Sequence, residues 1–524
     1  MNELNSHNPL IRFKKVLNND IYVDKSLLID EISKSIAKES SMYICITRPR
    51  QFGKTINAIM LAAYYTKGFD SHQLFDSLKI SQTENYEKHL NQHNVIFIDL
   101  SKSCDKCHSY QQYFQSIKND LIESIEIHYP IKIRPNESIS QFFNRTEDSF
   151  IFIFDEWDSI FYNSFMTEED KKEYLKFLKD FLKDQPYVDL TYMTGILPII
   201  KYSSTSELNM FKEYNFINDS RYNEFFGFSE EEVNELCTHY AKPTYEELQY
   251  WYNGYYSDDN RKIFNPRSVT RAFDSGVCQN YWIGTGPMNE IADCIEHNID
   301  EVREDIIKLV SKIPVHIELD GYGVSDLQLD TRQEILSAMV IFGFLSYHHG
   351  ILTIPNYELM LKFTQVLSRD SMKDIKQIVT QSKEMLKATL ALDNQKVAHI
   401  LENVHDQEIP FLNFNDENSL SCVITLCYLY ARNDYDIYRE AKSGKGYVDY
   451  LFIPKKNDNP AIVLELKNKK SAFNALQQIK DRNYISQVIE YKEIILVGIS
   501  YDGHKHHDCI IEKIDSTHRV ESIH

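Results

Sequence analysis

The stretch Ile44-Cys45-Ile46-Thr47-Arg48-Pro49-Arg50-Gln51-Phe52-Gly53-Lys54-Thr55 decides how the N-terminal half of the chain is read. An apolar strand runs into a loop. Gly53-Lys54-Thr55 then opens a segment in which Ile56, Ile59, Met60 and Ala63 recur at helical spacing, with Gly68 as its stop. Strand, loop and helix in that order make a phosphate-binding loop. Main-chain N–H groups and the helix N-terminus cradle phosphates, a lysine reaches the outer phosphates, and a hydroxyl ligates magnesium. Lys54 and Thr55 occupy the last two positions. One departure stands out: the early glycine of the usual spacing falls at Arg48.

A partner motif follows. Phe150-Ile151-Phe152-Ile153-Phe154-Asp155-Glu156 is a buried-type strand ending in two acids, with Asp158 just after. Asp155 would hold magnesium through water and Glu156 would polarise the attacking water. The plain alternative is a helix cap behind a core strand. Val95-Ile96-Phe97-Ile98-Asp99 lacks the following glutamate and reads as a neighbouring strand. Val188 to Thr194, ending at Gly195, reads as another, with helices over 110–128 and 167–183. Such alternation predicts a mostly parallel sheet with helices on both faces. Ile21-Tyr22-Val23 reads as a short strand, with Asp24 capping a helix that carries Leu27, Leu28, Ile32 and Ile36. From Ser229-Glu230-Glu231-Glu232, a capping-box start, the pattern turns mainly helical to about 375, broken by a hairpin over 343–355. Residues 375–410 read as helical too.

The end of the chain carries a second chemistry. Gly446-Tyr447-Val448-Asp449 is followed by Ala461-Ile462-Val463-Leu464-Glu465-Leu466-Lys467. Alternation along a strand sends Glu465 and Lys467 to one face and Leu464 and Leu466 to the other. If the two strands pair, Asp449 joins Glu465. Two carboxylates then hold a divalent cation and the ammonium orients or activates a water, as phosphodiester cleavage requires. The plain alternatives are a strand-end cap at Asp449 and an exposed ion pair at Glu465 and Lys467. A helix from Glu417 to Tyr430 precedes these strands; a helix over 471–483 and a strand from Ile494 to Ile499 follow.

At 524 residues the chain has material for two or three domains, and 43% hydrophobic residues supply their cores. The net charge of −20 argues against a broad electrostatic grip on nucleic acid but leaves room for a local basic groove. The N-terminus lacks a signal pattern, and no apolar run reaches the roughly 18 residues of a membrane helix. The expectation is a soluble, cytoplasmic protein without a membrane partner. Nine cysteines in such a length do not form a disulfide scaffold. Cys104-Asp105-Lys106-Cys107-His108 has haem-attachment spacing without the export context. It is read as a polar loop with reduced thiols, and the tail around His504, His506, His507 and Cys509 as solvated surface.

Taken together, several stretches resemble one family. They are Tyr22-Val23-Asp24-Lys25-Ser26, the loop from Arg48 to Thr55, Phe154-Asp155-Glu156-Trp157-Asp158, Thr194-Gly195 and Phe226-Gly227-Phe228-Ser229. Further along come Asn253-Gly254-Tyr255, Asn265-Pro266-Arg267-Ser268-Val269, Ile354-Pro355-Asn356, Gly446-Tyr447-Val448-Asp449, Glu465-Leu466-Lys467, and Gln478-Ile479 with Tyr484. The chain resembles bacterial and archaeal proteins that join an AAA-ATPase-like domain to a C-terminal PD-(D/E)XK nuclease-like domain.

The resemblance implies an α/β architecture: a P-loop NTPase parallel sheet over 1–228, a mainly helical middle or lid region over 229–385, and a restriction-endonuclease-like domain over 386–524. It implies ATP at Arg50, Gly53, Lys54 and Thr55, with Asp155 and Glu156 as the Walker B pair. It implies Mg²⁺ or Mn²⁺ at Thr55 and Asp155, and again at Asp449 and Glu465 with Lys467 beside them. Glu417 is a candidate further acid, with Glu440 its rival. Gln478 would reach the site or the phosphate backbone, or make a helix–sheet hydrogen bond. Three residues after Thr194-Gly195 the family usually carries an arginine where this chain has Pro198; Lys201 is the substitute within reach. The expected function is an ATP-regulated nuclease acting on DNA or RNA. The alternative is a nucleotide-dependent binding switch whose nuclease-like domain recognises without cleaving.

Overall fold

A computed structural model describes residues 4–102, 107–199, 208–215, 221–257, 260–282, 299–319, 331–369, 373–406, 417–443, 445–455, 459–502 and 506–515. Contacts divide the chain into two compact units, Met1–Thr285 with Ile317–Glu358 and Gly286–His316 with Leu359–His524. Residues 229–285 thus belong with the P-loop, and residues 359–385 with the C-terminal sheet.

The first unit is built on β1 (Tyr43–Thr47), β2 (Asn94–Asp99), β3 (Phe150–Asp155), β4 (Val188–Gly195) and β5 (Lys212–Tyr214). They run in the order β2-β3-β4-β1-β5, and every pairing is parallel. Every residue of β1 and β3 is buried, which is why both read as unbroken apolar runs: a parallel sheet is covered on both faces. Helix α1 (Lys54–Tyr65) buries most of its surface, including Tyr64 and Tyr65, against this core. The Val95–Asp99 run is the strand beside β3, with Asp99 level with Asp155.

Ile21-Tyr22-Val23 does not form the expected strand. Asp24 is not a cap either. Its carboxylate accepts from the N–H groups of Ser26 (2.8 Å) and Lys79 (2.7 Å), and the helix after it runs Leu27–Ser33. Three apolar residues fit a loop packed on a core as well as they fit a strand.

Helix α2 (Pro266–Ser275) starts cleanly. Asn265 accepts from the Ser268 N–H, and Pro266 occupies the first turn, where its missing donor costs nothing. Gly276, at φ +69°, ends it. A buried carboxylate, Glu358, holds α2 from behind, accepting from Ser268 Oγ (2.8 Å) and from the N–H groups of Tyr281 (2.6 Å) and Trp282 (2.9 Å). The hairpin expected over 343–355 is present as Ser346–His348 paired with Ile351–Thr353.

The second unit carries β6 (Tyr435–Ser443), β7 (Gly446–Pro454), β8 (Ala461–Asn468), β9 (Glu493–Tyr501) and β10 (His507–Asp515) in sequential order. Only β8 and β9 are parallel; the other neighbours are antiparallel. Helix α3 (Glu417–Cys427) precedes the sheet, and Tyr450 of β7 donates to the Ser421 carbonyl at 2.8 Å. Helix α4 (Ala472–Asp481) makes the crossover between the parallel strands. A Cβ at Gly498 would stand 2.5 Å from the Ala472 carbonyl oxygen, so only glycine lets α4 lie this close to β9.

Cys107 is disulfide-bonded, which corrects the expectation of reduced thiols there. Cys104 and His504 lie outside the described residues. His506 pairs with Glu402 at 2.6 Å. Among the described residues, no helix is long and apolar enough to cross a membrane.

Candidate functional site

The loop after β1 turns sharply, with Gln51 at φ +69° and Gly53 at φ +90°. Such alternation aims successive N–H groups to one side and makes an anion-binding concavity at the start of α1. The Lys54 ammonium bridges its own loop, donating to the carbonyls of Arg48 and Pro49 at 2.9 Å each. Burial pulls Lys54 down to about 8, against the raising effect of Asp158, Glu156 and Asp155. Asp155 accepts from Thr194 Oγ1 at 2.7 Å and from Thr55; burial pushes it up to about 6. Glu156 stands in the left-handed region at φ +54°, a strained conformation for a side-chain-bearing residue and one that clusters at functional sites. Burial raises it too. Asp158 is buried and accepts from the Ile196 and Leu197 N–H groups (3.0 and 2.7 Å), tying the end of β3 to the end of β4.

A cavity of about 1110 Å³ opens on this loop. Its walls are Arg50 to Asn57, Glu156, the non-strand segment Asn18 to Val23, and one side of α2 with Arg267 and Arg271. Arg48 is not part of it. Its side chain is 1% exposed and donates to the carbonyls of Thr47 (2.8 Å) and Tyr214 (2.7 Å) and to Asn223 Oδ1 (2.9 Å), over the ring of Phe226. The residue at the glycine position is thus a clamp beneath the loop.

In the second unit, β7 and β8 pair over Tyr450–Phe452 and Ile462–Leu464, then part. Asp449 and Glu465 are the next residues out, on one face. There the Asp449 carboxylate takes the Leu466 N–H at 2.6 Å, and the Asp449 N–H approaches Glu465 Oε2 at 3.4 Å. Lys467 Nζ is 2.8 Å from Glu465 Oε1, which Gln478 of α4 also contacts. Gln478 lies 3.4 Å from the Tyr484 hydroxyl, and that ring packs against Gly446. Glu465 is only 2% exposed. Burial, then the Asp449 charge, push its carboxyl up to about 7. A cation is the natural remedy for two carboxylates so placed, and an all-oxygen donor set suits Mg²⁺ or Mn²⁺.

Residues 10–205 match the family model described as "Predicted AAA-ATPase", and residues 415–510 match the PD-(D/E)XK nuclease superfamily. The chain joins an AAA-ATPase-like domain to a PD-(D/E)XK nuclease-superfamily domain. No curated protein matches it. Among solved structures, a Walker-type ATPase of Pyrococcus abyssi is 12% identical, over 66% of this chain and 97% of its own, with a TM-score of 0.33. The ORC2 protein of Aeropyrum pernix, in its ADPNP–ADP complexes, is 9% identical over 66% and 96%, with a TM-score of 0.30.

The ATPase-like domain gathers Arg50, Gly53, Lys54, Thr55 and Glu156 around one cavity, with Asp155 behind Thr55. The nuclease-superfamily domain brings Asp449, Glu465, Lys467 and Gln478 together. Glu417 begins α3, but its side chain lies outside the description, as does Lys201. Glu440 falls between the Arg439–Tyr450 and Ala441–Val448 pairs of the β6–β7 ladder, and its side chain is 70% exposed and 3.3 Å from Arg439. Among the described residues, no group of three metal-ligating side chains occurs, so a metal here would complete its shell with substrate and water. Sequence reasoning missed Arg267, Arg271 and Asn18 to Val23 as cavity walls. The signal available was a basic pair at i and i+4 behind an Asn-Pro helix start.

Proposed function

We propose that the protein is a metal-dependent nuclease under the control of its own nucleotide-binding domain. The observation that carries this reading is the junction of Asp449 and Glu465, with the buried Glu465 held near a pKa of about 7 beside Lys467. In this reading Asp449 and Glu465 hold Mg²⁺ or Mn²⁺, which lowers the pKa of a bound water and offsets charge on the phosphate. Lys467 orients the attacking water, and Gln478 fixes the Glu465 carboxylate. In the other domain, ATP would lie along Gly53, Lys54 and Thr55, with its Mg²⁺ at Thr55 and Asp155 and with Glu156 turned toward the attacking water. The division into 1–228, 229–385 and 386–524 is proposed with it as a functional one, the middle part acting as lid and relay although its contacts are shared between the two compact units. In this reading the protein is a hydrolase of nucleic acid that works in the cytoplasm.

A second reading has its own support. Pro198 stands where the family this chain resembles usually carries an arginine, and the net charge is −20. Both suit a slow or hydrolysis-free switch that binds without cutting. The deciding experiment measures cleavage of DNA and RNA with Mn²⁺, with and without ATP, in wild type and Lys54→Ala. Cleavage whose rate depends on ATP in wild type, but not in Lys54→Ala, supports the regulated nuclease. ATP binding without cleavage of any substrate supports the switch.

A further inference from the structure

The acidic character of the chain stops at the rim of the nuclease-superfamily site. Over 440–449 and 465–482 there are seven basic residues against four acidic ones, two of the acids being Asp449 and Glu465 themselves. Lys442, Lys445 and Arg482 are exposed, and none has an ion-pair partner among the described residues. They are drawn together by the fold. The Lys445 N–H donates to the Arg482 carbonyl (2.9 Å), the Arg482 guanidinium approaches the Lys445 carbonyl (3.4 Å), and Lys442 stands directly across the β6–β7 ladder from Tyr447.

Tyr447 is the unusual member. It is 64% exposed, and few large apolar side chains among the described residues are so open. It lies two residues before Asp449 on the same strand, hence on the same face and about 7 Å along from it. No packing role accounts for a tyrosine there: the adjoining Gly446 packs on Tyr484, while the Tyr447 ring is left to solvent. An exposed ring with uncompensated cations beside it, one residue pair from two carboxylates, matches what a single nucleic-acid strand needs. Cations track the phosphates, and the ring stacks on an unpaired base. A duplex hides its base faces and offers nothing for the ring to stack on.

We infer that the site takes a single strand, or a frayed strand end, with Tyr447 stacking on a base next to the scissile phosphate and Lys442, Lys445 and Arg482 following the backbone. This rests on reading Asp449 and Glu465 as the cleavage site. The test is fluorescence anisotropy of the full chain in EDTA, with a labelled 20-nucleotide DNA strand, the same strand as RNA, and the 20-base-pair DNA duplex. Tyr447→Ala should weaken single-strand binding by about 5- to 150-fold and duplex binding less than twofold, with Tyr447→Phe close to wild type. Lys442→Gln should lower the single-strand salt slope by about 0.7. The DNA and RNA arms tell which strand is preferred. Equal loss on strand and duplex, or no loss on either, overturns the inference. Cleavage in Mn²⁺, run in parallel, keeps the two questions apart. Tyr447-dependent strand binding without cleavage sinks only the nuclease reading, whereas cleavage indifferent to Tyr447→Ala sinks only the stacking role.

Discussion

Restoring the missing glycine of the phosphate-binding loop should damage the protein. In Arg48→Gly, two buried acceptors and one part-buried acceptor lose their donor: the Thr47 carbonyl and Asn223 amide oxygen, and the Tyr214 carbonyl, now held at 2.7–2.9 Å. Each buried acceptor left bare costs about 1–3 kcal/mol. Glycine adds about 0.5–1 kcal/mol of backbone entropy. Water entering the space and relief from desolvating a buried cation return part of this, so the expected net loss is about 3–5 kcal/mol, the range for breaking a buried charged network. Against a domain stability of about 5–15 kcal/mol, that is a large share. At roughly 2–4 °C per kcal/mol, the unfolding midpoint should fall by about 10 °C. Nucleotide affinity should fall as well, because Arg48 ties β1 to β5 and to the segment around Asn223 directly beneath the loop. Differential scanning fluorimetry and titration with a fluorescent ATP analogue measure both. Arg48→Met separates lost volume from lost donors: it should recover part of the packing but none of the hydrogen bonds. An Arg48→Gly protein with an unchanged midpoint and equal or tighter nucleotide binding would refute the clamp.

Other perturbations bear on different parts of the structure. Gly195→Ala would set a Cβ 2.5 Å from the Trp157 ring and 2.8 Å from Asp158 Oδ1. It should cost about 1–3 kcal/mol and slow ATP hydrolysis more than it weakens ATP binding, as steady-state kinetics beside binding isotherms would reveal. Burial lowers His89 and His93 to about 4 each, and His89 Nδ1 lies 2.9 Å from His93 Nε2. A depressed folded pKa means the unfolded chain binds more protons between about 4 and 6.5, so stability is full above 6.5 and lost as pH falls through that window. Thermal midpoints at pH 7 and pH 5 should show this slope, and His93→Gln should lessen it; an unchanged slope would count against the buried pair. Lys54→Ala should lower ATP affinity at least tenfold with the fold intact, read by calorimetry beside circular dichroism.

Much of this could be read from the chain because local pattern and chemistry coincide. Phe150 to Phe154 is apolar without interruption because β3 is covered on both faces. The alternation through Leu464, Glu465, Leu466 and Lys467 placed the two charged residues on one side before any pairing was known. What escaped depends on contacts distant in sequence. Arg48 looked like a defect because its partners, Tyr214 and Asn223, are 166 and 175 residues away. Arg267 and Arg271 could not be connected to the loop around Lys54, since nothing local says which face of α2 looks toward it. Ile21 to Val23 reads as a strand yet is a packed loop, because three apolar residues carry too little periodicity to separate the two.

We propose Asp449 and Glu465 as a metal-dependent cleaving site. The most direct measurement is Mn²⁺-supported cleavage of labelled single-stranded and duplex substrates by wild type, Glu465→Ala and Lys467→Ala, each purified identically. Wild type should cleave, EDTA should abolish that cleavage, and both variants should cleave at least a hundredfold more slowly. Cleavage at wild-type rate in either variant, or none by wild type on any substrate, would contradict the proposal.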